Sequence, residues 1–202
     1  PSVCSRLASS PLGRLATSWS APAGETIYDC NYGLRLRLSR EDALTSGVAQ
    51  LGQTNPLETE LLQKYARKGD TVVQIGAYKD GWLGLVASGL VGDQGRVVCF
   101  EPIPEHCEAL RANIALNART NIVAEQMAVS DRDGEAEFDI DGMGSSLVGK
   151  ASDSAPAVKV KTVALDNYLA SRNIPKAEFL IIDAEGAEPL VLRGASRLLR
   201  AG

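Results

Sequence analysis

Three acidic side chains and one glycine turn fall where apolar runs of this chain end. They are Glu101, Asp183 and Glu185, and the turn Gly76-Ala77-Tyr78-Lys79-Asp80-Gly81. The turn follows the β-branched run Thr71 to Ile75 and precedes the apolar helix pattern that begins at Trp82. A strand, a glycine turn and a helix in that order aim helix N–H groups at a small ligand. The spacing is not the G-x-G-x-x-G of a dinucleotide site, and Trp82 stands where a phosphate loop needs lysine. Glu101 closes the next apolar run, 20 residues after Gly81. From that place an acid accepts two hydrogen bonds from a ribose diol in a doubly wound sheet, so a nucleoside ligand is expected.

What hangs from the ribose 5′ side stays open on this reading. NAD would bring a pyrophosphate. S-adenosylmethionine would bring an amino acid and a sulfonium, its carboxylate met by helix N–H groups and its ammonium in need of an acceptor. Asp183 and Glu185 close a further apolar run and could take a proton from an acceptor hydroxyl. Each group also has a plain structural reading: Gly76 and Gly81 as points of close packing, Glu101 as cap of a helix near Pro104, Asp183 and Glu185 as caps of a helix after Gly186, and Tyr78 and Lys79 as solvated. The single histidine, His106, falls early in a helix and is assigned to its outer face, away from any chemistry. The four cysteines, Cys4, Cys30, Cys99 and Cys107, form no C-x-x-C, so no metal site is expected. Cys99 and Cys107 read as small core residues in a reducing, cytoplasmic compartment.

The elements that must hold these groups are readable from periodicity. A chain of 202 residues with 45% hydrophobic and 23% charged residues fits one domain with an N-terminal extension. A net charge of -4 argues against nucleic acid as partner, and no apolar run has membrane-span length. Residues 1–24 read as a loosely ordered arm, although their Ser, Ala and Leu content without acids is also that of a transit peptide. Residues 25–54 form a cap region, with a hairpin where Leu34, Leu36 and Leu38 alternate with Arg35 and Arg37 after the turn Asn31-Tyr32-Gly33. From residue 55 onward strands and helices alternate. Asn55 is expected to cap a helix starting at Pro56, with Leu57, Leu61, Leu62 and Tyr65 as its buried face and Gly69 as its end. Strands follow at TVVQIGA, GRVVCFEP, NIVAEQMAVS and AEFLIIDAEG, with helices between them. GEAEFDI and AVKVKTV read as an antiparallel excursion around a polar loop. Near-continuous apolar strands alternating with helices imply an α/β fold with a parallel sheet covered on both faces.

Taken in order, GDTVVQIGA, GRVVCFEPIPEHCEALRANIALN, MAVSDRDGEAEF, GSSL, TVALDNYL and IIDAEGAEPLVLRGASRLL resemble the FkbM family of S-adenosylmethionine-dependent methyltransferases, from about Pro56 to the end. The resemblance implies a Rossmann-like, doubly wound, mostly parallel sheet of the class I methyltransferase type, here with a small N-terminal hairpin and without the last three strands. It implies S-adenosylmethionine as cofactor, with Gly76, Ala77 and Gly81 around its methionine portion. Gln74 would bond the ammonium, Glu101 would hold the ribose, and Met127 and Ala128 would flank adenine. Asp183 would face the reacting methyl group, with Glu185 beside it. It further implies O-methylation of a small hydroxylated natural product or sugar, whose pocket would draw on the hairpin, the Gly142–Ala157 loop and the missing C-terminal part. Ser145 and Ser146 in that loop read as loop residues rather than ligands.

The chain departs from the family at Gln74, where Asp is usual, at Ile181, where Lys is usual, and in a glycine turn one residue longer. These departures support a second expectation, a cofactor-binding or scaffold module without catalysis. A nicotinamide-dependent oxidoreductase is a third, disfavoured by the missing G-x-G-x-x-G. The fourth strand, ending the sheet as an apolar edge, implies a fragment of a longer protein or an edge covered by a partner, a second copy included.

Overall fold

The computed structural model describes residues 24–139 and 157–201. The chain opens with an antiparallel hairpin, β1 (Glu25–Asp29) and β2 (Arg35–Ser39), around the short turn Asn31–Gly33. Period two sends Leu34, Leu36 and Leu38 inward, all of them buried. Ser39 Oγ accepts from Asp42 N and caps α1 (Arg40–Thr45), which leads through Gly47 into α2 (Val48–Leu51). Among the described residues no strand pairs the free edge of β2. Two asparagines one helical turn apart take its backbone groups instead. Arg37 N donates to Asn113 Oδ1 at 2.7 Å and Arg35 N to Asn117 Oδ1 at 2.8 Å, while Asn117 Nδ2 donates to Arg35 O at 2.7 Å.

Next comes α3 (Pro56–Tyr65), with Pro56 at its first position as expected. Three expectations for it fail. Asn55 sits in the left-handed region, φ 47°, and its side chain caps nothing, accepting instead from Thr54 Oγ1. Leu57, Leu61 and Tyr65 are 65%, 48% and 50% exposed, and the buried face is Thr59 and Leu62. The helix also ends at Tyr65, before Gly69, with Ala66 extended behind it. Thr59 is drawn inside because its hydroxyl accepts from the buried Trp82 Nε1 at 2.8 Å, a long-range bond that outweighs the helix's own apolar stripe.

The central sheet holds β3 (Thr71–Ile75), β4 (Arg96–Phe100), β5 (Ile122–Glu125) and β9 (Phe179–Ile182), all parallel, in the order β5-β4-β3-β9. Its strands are joined by α4 (Trp82–Val91) and α5 (Pro104–Leu116). A second, three-stranded sheet, β6-β8-β7, is built from β6 (Ala128–Ser130), β7 (Gly134–Asp139) and β8 (Ala157–Ala164), followed by α6 (Leu165–Ser171). After β9 come α7 (Glu188–Gly194) and α8 (Ser196–Ala201). NIVAEQMAVS is therefore two strands rather than the one expected. A turn closed by Met127 N to Glu125 O hands the chain from the parallel sheet to the excursion.

Alternate residues of the parallel strands feed two cores. Val72, Val97, Cys99, Ile122 and Ala124 face α4, α5 and the hairpin leucines. Val73, Ile75, Val98 and Phe100 face Val129, Leu165, Tyr168, Leu169 and Val191. The sheet is thus covered on both faces, the doubly wound arrangement that unbroken apolar strands require. Among the described residues β9 has a neighbour on one side only, and its residues are half-buried. No helix among them is long and apolar enough to cross a membrane.

Candidate active site

Parallel strands carry their carboxyl ends to one rim, and ligands bind beyond that rim where strand order reverses. Here β3 lies between β4 and β9, and a cleft of about 340 Å³ opens over their ends. That volume falls in the range of small-molecule and cofactor pockets, ~300–1,000 Å³. Its walls include Gln74, Gly76, Ala77, Glu101, Met127, Ala128, Asp183 and Glu185. Eight of the nine residues singled out from sequence therefore meet in one place. The ninth, Gly81, does not line the cleft. It starts α4 at φ 60°, and a Cβ there would lie 2.2 Å from Leu110 Cδ1, so its role is the close packing of α4 on α5.

Gly76 is required by both conformation and space. Its φ is +80°, and a Cβ would lie 1.8 Å from the carbonyl oxygen of Asp183. The ends of β3 and β9 pass this closely because Asp183 N donates to Ile75 O at 2.9 Å. The missing side chain thus sets Asp183 beside the glycine turn. Asp183 and Glu185 are exposed at the cleft, and Glu185 holds a left-handed conformation at φ 48°. The turn into α7 is closed by a different acid, Glu188, whose Oε1 accepts from Ala184 N and Gly186 N. Among the described residues neither Asp183 nor Glu185 accepts a side-chain hydrogen bond, so the capping alternative for these two is set aside in favour of Glu188.

Glu101 is buried, and both its oxygens are used. Oε2 accepts from Tyr78 N at 2.9 Å and Oε1 from Ile103 N at 3.0 Å. It holds the glycine turn and the start of α5 together. An ionised carboxylate has about four acceptor positions, which leaves two for a ligand. Four further N–H groups at the turn are committed as well. Gly76 N and Ala77 N both donate to Phe100 O, Gly81 N to Ala77 O, and Trp82 N to Asp80 Oδ1. These particular N–H groups are therefore satisfied within the protein and are not offered to a ligand.

Tyr78 and Lys79 are not merely solvated. Lys79 Nζ lies 3.1 Å from Asp42 Oδ1, and Tyr78 OH donates to the same oxygen at 3.3 Å. Burial pushes the Asp42 carboxyl up, but hydrogen bonds from Ser39 and Lys79 outweigh it and leave it below its ordinary value. The added residue in the turn thus ties the cleft to α1. His106 is also placed differently from its sequence assignment. It lines the cleft, 14% exposed, with Nδ1 3.6 Å from Glu101 Oε1 and its ring edge-on to Tyr78 at 4.7 Å. Its position in the first turn of α5 explains this, since that turn begins at the rim where β4 ends.

Two residues that sequence reasoning did not assign to the site also face the cleft. Asn55, the left-handed residue before α3, is one. Asp80 is the other. Burial raises its carboxyl to about 6 although the Trp82 N–H pulls the other way. The only signal for Asp80 in the sequence was its place inside the lengthened turn.

A doubly wound parallel sheet with acid-bearing strand ends around one cleft defines a Rossmann-like α/β fold. Residues 74–201 match the Methyltransferase FkbM domain, and the chain belongs to that family. That family and this fold are those of S-adenosylmethionine-dependent methyltransferases. Among solved structures it is similar to the methyltransferase FkbM from Methylobacillus flagellatus KT, with 17% identity, a TM-score of 0.45, and coverage of 66% of this chain and 30% of that one. It is similar to M. jannaschii TYW2 in complex with AdoMet, with 21% identity, a TM-score of 0.39, and coverage of 54% and 45%. It is also similar to aTrm5 in complex with tRNALeu, with 20% identity, a TM-score of 0.35, and coverage of 50% and 27%. The chain spans less than half the length of each of these three structures. Among curated proteins none matches it.

Proposed function

We propose that this chain transfers a methyl group to a hydroxyl oxygen of a small natural product or sugar, with Asp183 as the base. The observation that carries the reading is the convergence of Gly76, Glu101, Met127 and Asp183, from four strand ends, on one cleft. S-adenosylmethionine supplies a methyl group made electrophilic by its sulfonium. Glu101 holds the ribose diol with its two remaining acceptor positions, and Met127 and Ala128 flank the adenine. Gly76 and Ala77 shape the space for the methionine portion, and Gln74 bonds it from the α4 side. Asp183, free of other partners among the described residues, takes the proton of the acceptor hydroxyl as the new bond forms. Glu185 stands beside it as the second carboxylate. Holding oxygen, methyl and sulfur in line supplies much of the rate.

A second reading, a pocket that binds the cofactor without turnover, is favoured by the neutral Gln74 and the apolar Ile181 on the cleft wall. Titration calorimetry with S-adenosylmethionine and S-adenosylhomocysteine, followed by methyl transfer from labelled cofactor to a panel of hydroxylated acceptors, separates the two. Binding with transfer that is lost in Asp183→Asn supports the enzyme. Binding with no transfer to any acceptor supports the second reading. Transfer to bulk tRNA instead of the small acceptors would overturn the substrate class, and absence of binding would overturn both readings.

A further inference from the structure

We propose that the carboxylate of Asp80 is the ionic partner of the α-ammonium on the cofactor's amino-acid portion, a role the lengthened glycine turn creates. This rests on the reading of the cleft as an S-adenosylmethionine site. An ammonium taken out of water needs an anion or several acceptors around it. Gln74 offers an uncharged amide whose Oε1 lies 3.7 Å from Cys99 Sγ, on the face of the sheet covered by α4. The acids lining the cleft are Asp80, Glu101, Asp183 and Glu185. Glu101 ends β4, and each of its oxygens already takes a backbone N–H. Asp183 and Glu185 follow β9 and are exposed. Asp80 is the one acid that belongs to the glycine turn, on the α4 side where Gln74 also lies.

Its environment fits a cation. Oδ1 accepts from Trp82 N at 2.9 Å, and among the described residues nothing donates to Oδ2. The N–H groups of Gly76, Ala77, Tyr78, Gly81 and Trp82 are all directed into the protein. Those five N–H groups are thus unavailable to a ligand, and the Asp80 carboxylate is the turn's group suited to a positive charge. Burial and the nearby Asp42 both raise the Asp80 carboxyl, to about 6. Lys79 does not neutralise it, because its ammonium is engaged by Asp42. A bound ammonium would relieve that cost.

The test compares two nucleosides on the full chain and on Asp80→Asn, which keeps an oxygen for Trp82 N. S-adenosylhomocysteine carries the amino acid, and 5′-methylthioadenosine lacks it. We expect Asp80→Asn to weaken S-adenosylhomocysteine about tenfold, the factor given by ~1.4 kcal/mol, and to leave 5′-methylthioadenosine within about twofold. Wild-type affinity for S-adenosylhomocysteine should rise between pH 5 and pH 7, and that rise should vanish in the variant. Equal loss for both nucleosides, or loss for neither, overturns this assignment alone. If the wild type binds neither nucleoside, the cofactor reading fails and takes this one with it.

Discussion

Replacing Gly76 with alanine tests whether the close approach of β3 and β9 builds the cleft. The new Cβ would start 1.8 Å from the Asp183 carbonyl oxygen, where ordinary contact begins at 3.4 Å. The obstacle is backbone, so no rotamer change removes it, and the two strand ends must part by on the order of 1.5 Å. That parting breaks the Asp183 N to Ile75 O bond, about 1 kcal/mol net. Alanine at φ +80° costs about another 1 kcal/mol, and forcing the packed ends apart costs about 1–3 kcal/mol. The sum is roughly 3–5 kcal/mol. Two other glycines separate conformation from collision. Gly186 has φ +94° and nothing within 4 Å, so Gly186→Ala should cost only about 1 kcal/mol. At Gly81 a Cβ meets the end of the Leu110 side chain, which can turn away, so Gly81→Ala should fall between, at about 2 kcal/mol. Urea unfolding gives the three values, and thermal unfolding should follow at ~2–4 °C per kcal/mol for a chain of this size. If Gly76→Ala proves as mild as Gly186→Ala, the strand ends do not meet as described, and the placement of Asp183 fails with them.

Asp80 makes stability depend on pH. Burial raises its carboxyl from 3.8 to about 6, so the folded state keeps a proton that the unfolded chain releases. The stability from this group is full below about pH 4 and is lost as pH rises through 6, some ~1–3 kcal/mol in all given its contact with the cleft. Urea midpoints between pH 4 and 7.5 should show that fall in the wild type, and Asp80→Asn should flatten it. Asn113→Ala removes the acceptor for Arg37 N and the donor to Lys79 O. It should cost ~2–3 kcal/mol and strip hydrogen-exchange protection from the Arg37 amide while α4 keeps its own. Trp82→Phe leaves the buried Thr59 hydroxyl without its donor and should cost ~1–3 kcal/mol. Adding Thr59→Val should recover part of that loss, and a double-mutant cycle with no coupling would place the bond elsewhere.

Much of the architecture was legible because it is written locally. Alternation of Leu34, Leu36 and Leu38 marks a hairpin strand, unbroken apolar runs mark buried parallel strands, and Pro56 and Pro104 mark helix starts. The identities of Gly76, Glu101, Met127 and Asp183 at strand ends follow from the same patterns, and their ordered set carried the family. Periodicity, however, names a face and never its partner. It gave α3 an apolar stripe of which the structure buries only Leu62, because a hydroxyl–indole bond across 23 residues of sequence turns Thr59 inward. It put His106 on an outer face, although the first turn of α5 begins at the rim of the sheet. It read one strand where a turn at Met127 divides two. The strand order that sets Asp183 against Gly76, the use of both Glu101 oxygens by backbone N–H groups, and the seating of Asp80 in the cleft all depend on contacts between distant segments. Local sequence fixes which residues can reach the rim. Only the packing of β9 against β3, and of the lengthened turn against α1 and α5, decides which of them face one another across it.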